Sequence, residues 1–186
     1  LPWRQKVRRY GLPLIAFLLL STSIVAIIGF SPRNITHAAT GDWTTYQGSD
    51  ARTGFNGQET IINPTTAPAL KLLWTAKPAG AVSSEMVVVN NVGYYGSWDG
   101  ALHATNLSTG QDYWATPLGT KPGSCTALNY GIVGTPTIAT IGTTQMAFVA
   151  GGQDNVTAVN TSTGSVVWQT NLGNAKGQFI YASTVV

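Results

Sequence analysis

Ala104-Thr105-Asn106-Leu107-Ser108-Thr109-Gly110-Gln111-Asp112-Tyr113-Trp114 has the form A-x-N-x-x-T-G-x-x-x-W, and the same form returns 54 positions later. The second copy is Ala158-Val159-Asn160-Thr161-Ser162-Thr163-Gly164-Ser165-Val166-Val167-Trp168. The match runs on into Leu118-Gly119 and Leu172-Gly173 at the same offset. Upstream it includes Gly96-Ser97-Trp98-Asp99-Gly100 and Gly151-Gly152-Gln153-Asp154-Asn155, with one residue of slippage. Identities held at fixed spacing across this distance mark a structural repeat, one supersecondary unit copied along the chain.

Each unit reads as four short strands. In the first they fall near residues 84–89, 92–97, 101–106 and 111–116; in the second near 133–140, 145–150, 156–160 and 165–170. The residues between them, Asn90-Asn91, Asp99-Gly100, Ser108-Thr109-Gly110 and Ser162-Thr163-Gly164, are those that tolerate left-handed backbone in tight turns. Such units suit a radial array of small antiparallel sheets, a β-propeller. The motif places its Trp at a set depth on the outermost strand, where an indole can cover a glycine of the neighbouring blade while its N–H finds a carbonyl. Ala104, Asn106, Gly110 and Trp114, with Ala158, Asn160, Gly164 and Trp168, are therefore expected to be the structural docking residues.

The expected organisation is a leader over 1–39, a lead-in segment over 40–69 and a partial propeller over 70–186. Its blade units span about 82–119 and 131–173, and a third begins near 178. Residues 70–76 are expected to form the first strand, and 178–186 the first strand of the third unit. We take the chain as the front part of a longer protein.

The formal net charge is +3, but Arg4, Lys6, Arg8, Arg9 and Arg33 hold half of the ten basic residues. The remaining five face all seven acidic residues, so the body is close to −2 and has no basic stripe for phosphates. No nucleic-acid partner is expected. The cationic start, the apolar run 12–30 and the small residues before a cut after Ala38 form a signal-peptide layout. The apolar run is also long enough to remain as a membrane anchor. Either way the body lies outside the cytoplasm.

The two units resemble the pyrroloquinoline-quinone (PQQ) type propeller repeats of quinoprotein alcohol dehydrogenases and of the propeller subunit of the outer-membrane β-barrel assembly machinery. Asp42-Trp43 with Arg52-Thr53-Gly54 resembles that family's lead-in, and Leu70-Lys71-Leu72-Leu73-Trp74 a strand that in relatives completes the last blade. The family usually carries Asp where Asn106 and Asn160 stand.

The resemblance also implies where a quinone would be contacted. Ser124-Cys125 stands where the enzymes carry two adjacent cysteines joined over the quinone, and Tyr130 where they carry an Arg. Ser124 makes that disulfide impossible and Tyr130 removes the cation. The quinone-contacting Glu would fall at Ser83, with Glu85 two positions away; the simpler reading of Glu85 is an exposed carboxylate at a strand end. Cys125 and Glu85 are thus the cofactor-binding candidates, and no catalytic residue or metal ligand can be named, since the enzymes' calcium ligands and base would come from later blades.

Asp99 and Asp154 are expected to serve their turns, and His103 to pack. The departures favour a non-catalytic propeller binding a protein, polymer or small molecule on one face. The alternative is a dehydrogenase of alcohols or sugars using PQQ with Ca²⁺.

Overall fold

A computed structural model describes residues 41–123, 128–173 and 180–186, and the backbone of 35–36. The expected leader, apart from that backbone, and Ser124 and Cys125 lie outside the described residues. Eleven strands are present: β1 Ile35–Thr36, β2 Val87–Val89, β3 Val92–Gly96, β4 Ala101–Asn106, β5 Asp112–Pro117, β6 Lys121–Pro122, β7 Asn129–Tyr130, β8 Thr137–Ile141, β9 Thr144–Gly151, β10 Asn155–Asn160 and β11 Val166–Asn171. No α-helix occurs among the described residues; two three-residue 3₁₀ turns lie in the lead-in segment.

The strands form two antiparallel meanders, β2-β3-β4-β5 and β8-β9-β10-β11, with β1 added to the edge of β8. These are two propeller blades, and each follows from local chemistry. Asn90 and Asn91 both take positive φ (52° and 62°), the twist-matched two-residue hairpin that joins β2 to β3. At the outer hairpin of the first blade the Asn106 side-chain oxygen accepts from the Ser108 amide, and the Gly110 N–H donates to the Asn106 carbonyl. In the second blade Asn160 accepts from the amides of Ser162 and Thr163, and Gly164 donates to the Asn160 carbonyl. In both turns the Asn side-chain oxygen is the acceptor, and in the first blade the Asn106 amide nitrogen also donates to the Tyr113 hydroxyl at 2.7 Å. Both hairpins carry a bulge at the same register, between Ala104 and Thr105 and between Ala158 and Val159.

The two blades share their core. Val87, Tyr94 and Leu102 of the first pack with Ile138, Ala147 and Val159 of the second in one buried cluster. Lys121 of the short β6–β7 insert forms an ion pair with Asp154 in the β9–β10 turn, so Asp154 serves an inter-blade contact as well as its turn.

Residues 42–47 run antiparallel beside β2. Asp42 accepts from the Asn90 amide, Trp43 and Val88 exchange backbone hydrogen bonds, and the Gln47 amide reaches Glu85. On its other side this segment meets the second blade: Thr44 accepts from the Ile138 amide, and the Thr45 and Thr137 hydroxyls lie 2.8 Å apart.

Two expected strands do not form. Residues 70–76 join no ladder, and Leu72 is 83% exposed. A strand needs a neighbour for its N–H and C=O groups, and the described residues supply none there. Residues 180–186 likewise form no strand; they lie against the start of β8 through Ser183, which accepts from the Thr135 amide, and Thr184, which accepts from the Thr137 hydroxyl.

Candidate functional site

The residues singled out for a ligand lie around the start of the innermost strands. Glu85 precedes β2 and is half-buried rather than an exposed strand-end carboxylate. One of its oxygens accepts the Trp43 indole N–H at 2.7 Å and the other the Gln47 amide at 2.9 Å. Its own amide donates to the Thr135 hydroxyl of the second blade. Both oxygens therefore tie down the lead-in segment, and the backbone ties blade to blade. The correction has a simple cause: the Trp43 partner lies 42 positions away, beyond any local pattern.

Ser83 accepts the Trp98 indole N–H at 2.8 Å. Trp98 in turn packs on Tyr130, ring centres 4.6 Å apart, and Tyr130 meets the edge of Tyr181 at 6.3 Å. The space between Tyr130, Gly131, Val133, Gly152 and Tyr181 is about 10 Å³, one water at most. The structure thus brings Ser83 and Tyr130 together through Trp98, and sets Glu85 apart, against the lead-in segment. These described residues do not fit a quinone: the carboxylate is committed, the cation is absent, and the space beside Tyr130 holds one water at most. Among the described residues no three His, Cys, Asp or Glu side chains are grouped to hold a metal ion.

The motif tryptophans occupy a second kind of site. The Trp114 indole donates to the Thr161 carbonyl at 3.0 Å and lies on Gly164, where a Cβ would come within 2.8 Å of the ring. Gly164 also needs its φ of 71°, so no other residue suits that position. Trp74 does the same one blade earlier, donating to the Leu107 carbonyl at 2.6 Å and lying on Gly110. No A-x-N-x-x-T-G stretch precedes Trp74, so the motif gave no sign of this. Trp168 remains 42% exposed, with Phe148 as its aromatic neighbour at 6.0 Å.

A third group was not foreseen. Asp99 accepts from the Ala101 amide, as its turn requires, but its other oxygen faces His103 Nε2 at 3.2 Å. His103 Nδ1 faces Asp112 at 2.8 Å, and Asp112 also accepts from the Thr105 hydroxyl. The ring is stacked on Tyr95, 4.9 Å away and nearly parallel. Burial raises the Asp99 carboxyl, but the Ala101 amide, His103 and Ser97 outweigh it and hold Asp99 below its ordinary value. The available signal was a departure from the repeat: at the positions of Tyr95, His103, Thr105 and Asp112 the second blade has Val149, Thr157, Val159 and Val166.

Comparison with known proteins agrees with the propeller fold. Residues 99–185 match the family profile described as outer membrane protein assembly factor BamB. Among solved structures, the quinohemoprotein alcohol dehydrogenase from Comamonas testosteroni superposes with a TM-score of 0.60 at 23% identity, over 78% of this chain and 22% of the dehydrogenase. The chain therefore spans about a fifth of that enzyme's length, and the likeness is one of fold. A computationally designed protein, Ika8, aligns over 55% of this chain and 39% of its own at 12% identity, with a TM-score of 0.21. No curated protein matches the chain in sequence.

Proposed function

We propose, because this chain carries propeller repeats of the PQQ type, that it belongs to an exported propeller that binds a partner on one face and performs no redox chemistry of its own. The observation that carries this reading is Glu85. Its two oxygens are spent on Trp43 and Gln47, and freeing them for a ligand would leave the Trp43 indole N–H and the Gln47 amide without their acceptors. Ser83 and Tyr130 add to it, since each is engaged with Trp98. We read the Trp74 and Trp114 seats as the docking contacts of such repeats, supported by their common glycine-and-carbonyl geometry.

Export rests on the cationic and apolar start of the sequence. The cut after Ala38 carries a structural price, because Ile35–Thr36 pairs with β8 and would leave with the leader. A protein partner is favoured over a polymer or small molecule by the family profile, whose description names an assembly factor.

The test is titration of the protein with PQQ and Ca²⁺, followed by tryptophan fluorescence and calorimetry. The expected result is no heat and no quenching up to high micromolar quinone. Tight, calcium-dependent binding would overturn the reading in favour of a PQQ-dependent dehydrogenase of alcohols or sugars.

A further inference from the structure

Residues 75–79 form a strap fixed at both ends. At one end Trp74 is seated on Gly110. At the other, Gly80 lies flat on the backbone of Trp98 and Asp99, too close for any Cβ, and Ala81 accepts from the Trp98 amide. Between these anchors the Ala79 amide donates to Asp99 Oδ2 at 3.2 Å. A groove of about 380 Å³ lies under the strap, lined by Thr75, Lys77, Tyr95, Asp99, His103 and Asp112 among others.

The oxygen that holds the strap is the one that faces His103 Nε2. A neutral imidazole carries one N–H, and its other nitrogen is an acceptor. Here both nitrogens face carboxylate oxygens. The two contacts are attractive together only while both nitrogens carry a proton; remove either, and a lone pair faces a carboxylate. Asp112 is the firmer partner, closer to the ring and braced by Thr105. The longer Asp99 contact is the one that gives.

We propose that Asp99, His103 and Asp112 form a proton-dependent latch on the strap: the doubly protonated imidazole holds the Asp99 carboxylate against Ala79, and loss of one ring proton releases it. The groups facing the imidazole are Asp99 from the β3–β4 turn, Asp112 from β5, the Tyr95 ring from β3 and, from the strap side of the groove, Lys77. Burial keeps Tyr95 above its ordinary value, so it stays a neutral hydroxyl while the histidine changes charge. The latch also has an acid limit, where Asp99 itself takes a proton.

The experiment is amide exchange at Ala79 in the full chain, corrected for the intrinsic effect of pH, at about pH 5.5 and about pH 8.5. Protection is expected to fall several-fold at the higher pH, and the His103 ring to show two N–H protons at the lower one. H103Q has no ring proton to lose, so Ala79 protection should be equal at the two values. D112N offers an amide donor to Nδ1, lets a neutral ring keep its Nε2–H on Asp99, and should protect Ala79 at both. Equal protection of the unaltered protein at the two values overturns the latch, as does a pH effect that survives in H103Q. If H103Q does not fold, persistence of the pH effect in D112N overturns it.

Discussion

The two blades are the same object in backbone and different objects on one face of the sheet. Their hairpins share turn residues, bulge position and glycine seat, yet the first blade holds a charged group of Tyr95, His103, Thr105 and Asp112 where the second holds Val149, Thr157, Val159 and Val166. The second blade fills part of that place with a neutral hydrogen bond from Gln169 to Thr157. Their seats differ as well. Trp114 brings Thr116 with it, whose hydroxyl donates to the Gly164 carbonyl, whereas the residue two beyond Trp74 is Ala76. The difference teaches that the repeat specifies a backbone and one contact to the next blade, and leaves the face beside that contact to the individual unit.

This comparison can be broken at its strongest point. Trp114→Ala empties the seat between the blades and should cost about 3–5 kcal/mol, the usual range for a packed Trp, read as a drop in urea midpoint. A loss under about 1 kcal/mol would mean the shared core holds the blades without the indole. Glu85→Gln comes next. It replaces two acceptor oxygens with one and should cost about 1–3 kcal/mol, because the Trp43 or Gln47 donor is left unmet; the same denaturation series measures it, and an unchanged midpoint would return Glu85 to the pool of free ligand groups.

A smaller effect separates the charged blade from the neutral one. The folded-state pKa of Asp99 is lowered, so the group adds stability above its ordinary value of 3.8 and loses it as pH falls through that range. Melting temperature plotted against pH should therefore show an acid loss that is shallower in Asp99→Asn. Identical acid limbs would remove Asp99 from the account. The smallest effect is expected at Trp168→Ala, about 0.5 kcal/mol or less for a largely exposed side chain. A loss close to that of Trp114→Ala would show that something covers Trp168 in solution.

Most of the blade architecture was legible because it is local. Asn90-Asn91 dictates a hairpin, Asn106 and Gly110 shape their own turn, and strand alternation needs a few residues of context. What failed was what depends on a distant partner. Residues 70–76 have the composition of a strand, yet a strand is defined by the edge it joins. Glu85 looked exposed because Trp43 is remote in sequence. The latch draws on a turn, β4 and β5, and no motif unites Asp99, His103 and Asp112; only the difference of His103 and Asp112 from the second unit hinted at them. The candidate quinone contacts were named by resemblance, and the side chains found there are spent on the protein itself.

The seats also have a direction. Each indole reaches forward to the hairpin of the following unit, so the contact is head-to-tail, the kind that propagates without limit unless something ends it. Among the described residues both acceptor hairpins are taken, Gly164 by Trp114 and Gly110 by Trp74. Each unit added to such a series must therefore bring its own glycine hairpin to receive the indole of the unit before it.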